Sequence, residues 1–343
     1  MLRCIIMLNG GYPVTAQSIA RQVGLQPLDS VITGPELDGL DAEVLSEQAR
    51  HTSVFARVRP EQKLRLVTAL KANRDVVAMT GDGVNDAPAL KTADIRIAMG
   101  ERGTDVAREA AALVLLDDDF TSIVRAVRLG RRIFDNLRKA VSSLLAVHVP
   151  IAGLTVLPVL LGWPIILLPV HIVFLELIID PVCWIVFESE PEEPDVMQRP
   201  PRRAAEPLFD RRTVVLSLLQ GLGVLLVTFG VLSWALLGGL PEQDARVLTF
   251  ATLVIADLGL ILANRSKSGS IFTSQLPRNR ALEFVLGGTA VLLVAMVSVP
   301  GLRELFSFGV VHVDDLLVIA AATLLALIWL EAIRLVSRPM PPT

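Results

Sequence analysis

The nine residues Thr80–Pro88, TGDGVNDAP, follow directly on the short apolar run Val76–Met79. That run has the length and composition of a buried β-strand. Gly81 and Gly83 permit a tight turn just after it, because glycine has no Cβ atom to restrict the backbone. The stretch therefore predicts a strand that ends in a polar turn.

Three side chains of this turn, those of Asp82, Asn85 and Asp86, carry oxygen atoms. Carboxylate and amide oxygens are hard ligands of the kind that Mg²⁺ prefers, and protein-bound Mg²⁺ is commonly shared with a phosphate group. On residue types alone, the turn is also compatible with an ordinary surface loop. Its spacing makes Asp82 and Asp86 candidate magnesium ligands.

Short β-type runs alternate with helical patterns through the first third of the chain. The runs predict strands at Cys4–Leu8, Val54–Ala56, Val76–Met79, Ile95–Ala98 and Leu113–Leu116, and the helical patterns lie at Thr15–Val23, Pro60–Ala72, Ala87–Thr92 and Asp105–Ala110. This alternation is typical of an α/β fold in which crossover helices join parallel strands. Ligands of such sheets bind at the carboxyl ends of the strands, where the polar turn lies.

The remainder of the chain is strongly apolar. Of 343 residues, 52% are hydrophobic and only 20% are charged, and the mean hydropathy is +0.56. Stretches near the roughly 20 residues that a helix needs to cross a bilayer lie at about 140–161, 165–187, 213–237, 247–263, 282–300 and 314–333. We expect an α-helical transmembrane bundle of six helices, and the alternative is a set of buried helices in a large soluble protein.

Lysine and arginine are distributed unequally among the loops between these stretches. Eleven lie in three segments that an even number of spans would place on one side, 188–212, 264–281 and the tail after 333, whereas Arg246 and Arg303 lie in the opposite loops. Positive residues collect on the cytoplasmic side of membrane proteins. The sequence therefore predicts that both termini are cytoplasmic, in a multi-pass protein of the plasma (inner) membrane.

Two acidic residues, Glu176 and Asp180, lie inside the second apolar stretch. Their i, i+4 spacing places both carboxylates on one helix face. Pro181 cannot donate a backbone hydrogen bond, and Pro169 is expected to act in the same way, so nearby carbonyl oxygens are free to face a ligand. This combination favours a hard cation, and Asp257 in the fourth stretch is a candidate for the same site. The alternative is a protonated, hydrogen-bonded structural pair.

Composition also argues against several classes of protein. The formal net charge is −3, aromatic residues make up 5% of the chain, and Tyr12 is its single tyrosine. These values give no basic field or stacking surface, so no nucleic acid is expected as a partner. The two cysteines, Cys4 and Cys183, are too far apart in sequence to suggest a zinc cluster or a disulfide framework.

Taken as a whole string, Thr80–Pro88 strongly resembles the hinge motif of P-type cation-transporting ATPases. Arg57–Lys63 is similar to the family's segment whose lysine contacts the phosphoryl group, and Asp117–Ile123 is similar to its approach to the stalk. Asn136–Ala140 resembles the entry into the fifth membrane helix, and His171–Pro191 resembles the sixth helix of calcium-pump-like bacterial members. The resemblance covers essentially the whole chain, and it implies a phosphorylation domain of the haloacid dehalogenase (HAD) fold.

The resemblance also implies roles for individual residues. Asp82 would bind Mg²⁺ with support from Asn85 and Asp86, and Lys63 would neutralise the phosphoryl oxygens in a loose transition state. Glu176 and Asp180 match cation-binding positions, which Asp257 would complete. The remaining candidates lie beside the phosphate: Thr80 among the catalytic residues, and Asn9, Gly10, Gly81 and Gly83 among those that contact the bound group.

The chain also departs from the family pattern. No Asp-Lys-Thr-Gly-Thr stretch, which carries the phosphorylated aspartate, occurs in these 343 residues, and Asn9-Gly10-Gly11 stands where the family has Thr-Gly-Asp. We expect ATP to act through domains supplied by a longer or separate chain, and no ATP hydrolysis by this chain alone. Because the missing aspartate ends a central strand, the remaining sheet should have an unpaired edge.

These observations predict three regions, namely a partial HAD-like phosphorylation domain at 1–119, an amphipathic stalk helix at 120–139 and the transmembrane domain at 140–343. The expected function is that of the carboxyl-terminal part of an ATP-driven cation pump, with lipid, a transported cation and the missing amino-terminal pump domains as partners. The alternative is a noncatalytic membrane remnant or regulatory module that binds intact pumps. An ion-conducting or scaffolding bundle unrelated to phosphate is a third interpretation.

Overall fold

A computed structural model of the chain describes residues 5–27, 30–200, 209–265 and 279–336, apart from the side chains of Ile179, Asp180 and Val182. The chain divides into two compact units. One comprises Met1–Leu129 with Asp195–Glu206, and the other comprises Gly130–Pro194 with Pro207–Thr343.

The first unit contains two separate three-stranded parallel sheets. One has the order β1-β3-β2 and the other the order β4-β5-β6. The strands are β1 (Met7–Asn9), β2 (Val31–Thr33), β3 (Val54–Ala56), β4 (Ala78–Gly81), β5 (Ile95–Met99) and β6 (Leu113–Leu115). Within the described residues, β1 and β4 each pair with a strand on one side only.

Helices connect the strands, as the alternating pattern predicts, and the α/β class is confirmed. They are α1 (Pro13–Gln22), α2 (Gly34–Asp38), α3 (Ala42–His51), α4 (Pro60–Ala72), α5 (Ala87–Thr92) and α6 (Asp105–Ala110), with a 3-10 turn at Val84–Asp86 before α5. Helix α4 contributes to two apolar cores, because Leu66 packs in the same cluster as Phe55 of β3, and Val67 in the same cluster as Met79 of β4.

Two parts of this unit differ from the sequence prediction. Strand β2 and helices α2 and α3 were not predicted, because β2 is only three residues long and the Gly34-Pro35 pair after it is typical of a turn. The strand expected at Val76–Met79 begins at Ala78 instead. Its start is displaced because the amide of Val77 donates to the Asp94 carboxylate, at 2.9 Å.

The second unit is built from long apolar helices. They are α7 (Thr121–Leu160, which begins in the first unit), α8 (Pro169–Glu188), α9 (Arg211–Leu237), α10 (Glu242–Asn264), α11 (Arg280–Ser298) and α13 (Val313–Val336), and a short helix α12 (Pro300–Leu305) follows α11. In the described part of the chain, these six long helices have the length and apolar composition needed to cross a membrane. This finding confirms the predicted multi-pass bundle.

Close packing of α9 against α13 depends on a glycine. The indole Nε1 of Trp329 donates to the carbonyl of Leu219, at 3.1 Å, and a Cβ atom on Gly223 would lie 1.9 Å from that nitrogen. Helix α10 packs against both α9 and α13. Small residues at such contacts allow helix backbones to approach closely in a membrane.

The prolines of α7 and α8 occupy different kinds of position, and Pro169 alone departs from the sequence expectation stated above. Helix α7 continues through Pro150 and Pro158, so neither ends it. Pro169 is the first residue of α8, a position whose N–H has no partner within the helix, and it therefore breaks no hydrogen bond. Pro181 alone interrupts the interior of α8.

A buried ion pair lies just beyond the end of α8. The Arg265 Nε donates to the Glu190 Oε2 at 2.9 Å, with exposed side-chain fractions of 5% and 3%. The Asn279 amide donates to the same carboxylate, at 2.9 Å, and Asn136 donates to the Glu190 backbone carbonyl, at 2.8 Å. One residue therefore connects α7 with the end of α10 and the start of α11.

Arg246 forms a second buried link. The sequence places it in a loop, but it lies inside α10 and is 4% exposed. Its guanidinium donates to the carbonyl oxygens of Ile165 and Ile166, both at 3.2 Å, and of Ser307, at 2.9 Å. These bonds satisfy carbonyl groups of two connecting segments, which would otherwise be costly to bury.

Candidate functional sites

The polar turn after β4 contains a lysine–aspartate pair. The Nζ of Lys63, on α4, donates to Oδ1 of Asp86 at 2.6 Å, and the two side chains are 18% and 10% exposed. The other carboxylate oxygen of Asp86 accepts a long hydrogen bond from the Gly83 amide, at 3.4 Å. The structure thus brings together two residues that are 23 positions apart in the sequence.

Gly81 is required by close approach rather than by an unusual backbone conformation. A Cβ atom at this position would lie 2.6 Å from the Cβ atom of Asp86, closer than two non-bonded carbon atoms approach without a shift. At Gly83, by contrast, the nearest atom to such a Cβ is an oxygen of Asp86, at 3.8 Å. Of the two glycines, Gly81 is the one that determines how Asp86 is placed.

Thr80, Asp82 and Asn85 are exposed at the carboxyl end of β4. The backbone of Asp82 is held in place, since its carbonyl accepts from the Thr104 amide at 2.8 Å. Its carboxylate remains open to solvent. The side chains of this turn are therefore anchored through their backbone and through Asp86, and their oxygen atoms are accessible to a ligand.

A neighbouring loop is organised by Asp118. Its carboxylate accepts from the amides of Gly100 and Arg102, at 2.7 and 2.8 Å, and from that of Glu101, at 3.2 Å. Desolvation tends to raise the pKa of Asp118, but these three amide hydrogen bonds outweigh it and lower the pKa below its usual value. Sequence reasoning did not single this residue out, although three consecutive acids, 117–119, signal an unusual loop.

Asn9 and Gly10 follow β1 in the other sheet. The Asn9 side-chain oxygen accepts from the amide of Gly11, and the Asn9 and Gly11 carbonyls accept from the amides of Val58, at 3.2 Å, and Arg57, at 3.1 Å. Gly10 is exposed, and a Cβ atom added there would meet nothing within 4 Å. The segment is a hydrogen-bonded turn with one carboxamide N–H₂ group available to a ligand.

The oxygen donors of the turn after β4 fit Mg²⁺. Asp82 and Asn85 present a carboxylate and an amide oxygen at the exposed end of the strand, while Asp86 is held by Lys63. No three His, Cys, Asp or Glu side chains gather as a metal cluster among the residues that the structure describes. This is compatible with Mg²⁺, which takes one or two protein carboxylates and completes its shell with water and phosphate.

The membrane helices place the three predicted cation ligands in different environments. Asp257 is 0% exposed, and neither of its carboxylate oxygens has a hydrogen-bond partner within the described residues. Glu176 is exposed on α8, and its Oε1 lies 3.6 Å from Nε2 of His148 on α7. The side chain of Asp180 lies outside the described part of the structure.

Asp257 lies on the side of α10 that faces α8. It follows Phe250 by seven residues, almost two helical turns, and the Phe250 ring packs against those of His171 and Phe174, with centroids 4.9 and 5.8 Å apart. The carboxylate therefore shares a face with residues that contact α8. Sequence analysis did not identify His148 as part of a site, because a single histidine in an apolar helix carries no ligand-spacing signal.

Taken together, the structure shows an α/β unit with an acidic turn at the end of a parallel strand and a bundle of membrane-spanning helices with acidic residues inside it. Two parts of the chain match known protein families. Residues 2–94 match the haloacid dehalogenase-like hydrolase profile, and residues 164–336, about half of the chain, match the cation-transporting ATPase C-terminus profile. The chain belongs to the P-type cation-transporting ATPases and corresponds to their carboxyl-terminal part.

Individual relatives agree with this assignment. The chain is 35% identical over 97% of its length to calcium-transporting ATPase 1 of Bacillus cereus, and 36% identical over 96% to a calcium-transporting ATPase of Listeria monocytogenes. It is 37% identical over 88% to the probable cation-transporting ATPase F of Mycobacterium bovis. The aligned regions cover 39%, 37% and 34% of those relatives, so the chain spans less than two fifths of their length.

Proposed function

We propose that this chain provides the magnesium-dependent phosphoryl site and a cation path for an ATP-driven pump of the plasma (inner) membrane, with both termini cytoplasmic. The observation that carries the proposal is that one chain holds a Lys63–Asp86 pair at the end of a parallel strand and, in an apolar helix, a fully buried Asp257 that has no hydrogen-bond partner among the described residues. The first arrangement suits phosphate chemistry, and the second suits a cation.

At the phosphoryl site, each residue has a definite task. Lys63 would donate to oxygen atoms of the transferred group, and Asp82 with Asn85 would hold Mg²⁺, which neutralises phosphate charge when bound. Asp86 keeps the Lys63 ammonium in place through their 2.6 Å contact. Thr80 and Asn9 offer hydroxyl and amide donors at the carboxyl ends of β4 and β1.

The edges of the two three-stranded sheets, β1-β3-β2 and β4-β5-β6, support the proposal that another segment completes this site. Within the described residues, β1 and β4 are each paired on one side only, and both carry site residues at their carboxyl ends. Edge strands of this kind accept an additional strand. We propose that a strand bearing the phosphorylated aspartate, from a longer or separate chain that also binds ATP, adds here.

The transported ion would meet Glu176, Asp180 and Asp257. A carboxylate that is fully buried without a partner is costly, and binding a cation removes that cost. Relatives named as calcium-transporting ATPases make Ca²⁺ the first cation to test. The stalk segment 120–139 would transmit movement between phosphate chemistry and the membrane helices.

A noncatalytic role is the second candidate. It is favoured by the apolar cores that pack against each of the two three-stranded sheets. In this role the chain would bind intact pumps and regulate them without being phosphorylated.

The two candidates differ in a reconstituted pump. The amino-terminal part of the Bacillus cereus relative, including its phosphorylated aspartate, is fused to this chain, and incorporation of ³²P from γ-labelled ATP is measured. We expect a Mg²⁺-dependent phosphoenzyme that Asp82→Asn abolishes, whereas Asp75→Asn, at another exposed acid, leaves it intact. Equal labelling with Asp82→Asn would contradict the magnesium role, and no labelling of any fusion would favour the noncatalytic role.

A further inference from the structure

His148 and Glu176 form a pair between the two helices that begin the bundle. The Nε2 of His148 lies 3.6 Å from Oε1 of Glu176, and the side chains are 44% and 46% exposed. At this distance a direct hydrogen bond is too long, so the two atoms face each other with space between them. An imidazole nitrogen and a carboxylate oxygen are both common metal ligands.

The tautomer of His148 is determined by its other nitrogen. Nδ1 lies 2.8 Å from the carbonyl oxygen of Leu144, one turn earlier in α7. A carbonyl only accepts, so Nδ1 carries the proton and donates it. In the neutral ring, Nε2 then carries a lone pair on the side of Glu176. A ring N–H held by a backbone carbonyl is the usual support of a metal-binding histidine.

From this geometry we propose that His148 is a nitrogen ligand of the transported cation, next to Glu176. The proposal rests on the cation path proposed above and specifies the chemistry of that path. Zinc-type ions bind histidine nitrogen and carboxylate oxygen at about 2.0–2.2 Å, and two such bonds at a tetrahedral angle hold the donor atoms about 3.4 Å apart. The observed 3.6 Å requires only a small adjustment.

Further ligands are available around the pair. Pro181 cannot donate to the carbonyl of Leu177, which is the residue after Glu176. Both side chains are almost half open, so water or other donors can complete the coordination shell. Asp180, one turn beyond Glu176, is the nearest acidic residue in the sequence.

His171 shows what a structural histidine looks like in the same bundle. Its Nδ1 accepts from the Leu168 amide, at 2.9 Å, and its ring is fully buried among the rings of Phe250, Phe306 and Phe308. Neither nitrogen presents a lone pair to a carboxylate. The two histidines therefore have opposite tautomers and different tasks.

The chemical consequence concerns selectivity. Ca²⁺ and Mg²⁺ take oxygen ligands almost exclusively, whereas imidazole nitrogen favours Zn²⁺, Co²⁺ and Ni²⁺. A site that combines His148 with Glu176 therefore selects a borderline divalent transition metal over Ca²⁺. This differs from the cation in the names of the calcium-transporting relatives.

The test uses the full chain, purified and placed in lipid nanodiscs, with Co²⁺ and Ca²⁺ as probes. Co²⁺ binding is followed by its visible absorption, which reports nitrogen ligation, and Ca²⁺ binding by isothermal titration calorimetry. His148→Asn and His148→Gln should weaken Co²⁺ binding at least tenfold, change the absorption band, and leave Ca²⁺ binding within twofold. Far-ultraviolet circular dichroism identifies any variant that has lost its helices.

His312→Asn is the matched control, because His312 also lies beside a carboxylate, that of Asp315, at 3.5 Å, but is 71% exposed in a connecting segment. The His312→Asn variant should bind Co²⁺ and Ca²⁺ as tightly as the unchanged chain does. If Co²⁺ binding is lost in Glu176→Gln but is unchanged in both His148 variants, His148 is not a ligand and the cation path stands. If neither Glu176→Gln nor Asp180→Asn changes the binding of Co²⁺ or Ca²⁺, the proposed cation path is wrong.

Discussion

The acidic groups of the two units are stabilised in opposite ways. In the α/β unit, Asp86 is held by Lys63 at 2.6 Å, so its charge is compensated within the chain. In the bundle, Asp257 is fully buried and neither oxygen has a partner among the described residues. The Asp86 carboxylate is therefore stable as an ion, whereas the Asp257 carboxyl group requires a bound proton or cation. The comparison shows that the turn around Asp86 is stable without a ligand, whereas the buried carboxylate of Asp257 is stabilised only when a proton or a cation binds to it.

The largest expected effect comes from removing a compensated charge inside the bundle. Glu190→Ala removes the carboxylate that pairs with the buried Arg265 guanidinium and one of the two acceptors of the Asn279 amide. We expect a loss of about 3–5 kcal/mol in the free energy of unfolding. The measurement is equilibrium unfolding of the purified chain in mixed micelles.

Glu188→Ala is its control, because the Glu188 side chain is exposed two residues earlier. It should change the free energy of unfolding by less than about 0.5 kcal/mol. Equal losses in the two variants would show that the Glu190 pair does not stabilise the bundle.

The unpartnered acid should respond to a cation instead. With an ion at about 100 times its dissociation constant, the chain should gain about 2.7 kcal/mol of stability. Asp257→Asn should remove most of this gain while leaving the ion-free chain at least as stable, since the amide carries no charge to bury. Thermal unfolding with Co²⁺, Ca²⁺ or chelator measures both effects.

Asp314→Asn, at the exposed start of α13, provides the comparison for that experiment and should retain the full gain. A gain that persists in Asp257→Asn would place the ion elsewhere in the bundle.

A smaller effect on stability is expected at the turn after β4, where Gly81 lies close to Asp86. Gly81→Ala places a Cβ atom 2.6 Å from that of Asp86 and should destabilise the α/β unit by about 1–3 kcal/mol. Gly83→Ala meets its nearest atom at 3.8 Å and should cost much less. Hydrogen exchange of peptides from β4 and α4 reports the difference. Identical exchange in both variants would mean that the close approach at Gly81 is relieved without cost.

The smallest effect concerns pH. The hydrogen bond from the Val77 amide lowers the pKa of Asp94, and the Lys71 ammonium at 2.9 Å contributes to the same shift. A folded-state pKa below the unfolded value of about 3.9 stabilises the fold above that pH, and this stabilisation is lost as the pH falls through the folded pKa.

Because Asp94 is partly exposed, its contribution should be below about 1 kcal/mol. Asp94→Asn should therefore reduce the acid sensitivity of hydrogen exchange in β4 and β5 below about pH 4. Asp75→Asn, at an exposed acid before β4, should leave that sensitivity unchanged. An Asp94→Asn chain with the original acid profile would contradict the role of this carboxylate.

The sequence predicted the features that depend on local pattern. The turn at Thr80–Pro88, the helix at Pro60–Ala72 and the six apolar helices could be located because glycine spacing, helical periodicity and apolar length act over a few neighbouring residues. It did not predict β2, a strand of only three residues, or the ten-residue helix α3. Family membership also came from the sequence, through a continuous motif.

Tertiary structure alone decided which charges are paired. Lys63 meets Asp86, Glu190 meets Arg265, and His148 faces Glu176 because the fold brings separate segments of the chain together, at separations from 23 to 75 residues that no local pattern encodes. The same is true of Asp257, which packing buries completely and leaves without a hydrogen-bond partner among the described residues. The sequence by itself determines which side chains could bind a metal or a phosphate. Only the tertiary structure determines which of them are buried and unpaired, because desolvation depends on the residues packed around each group.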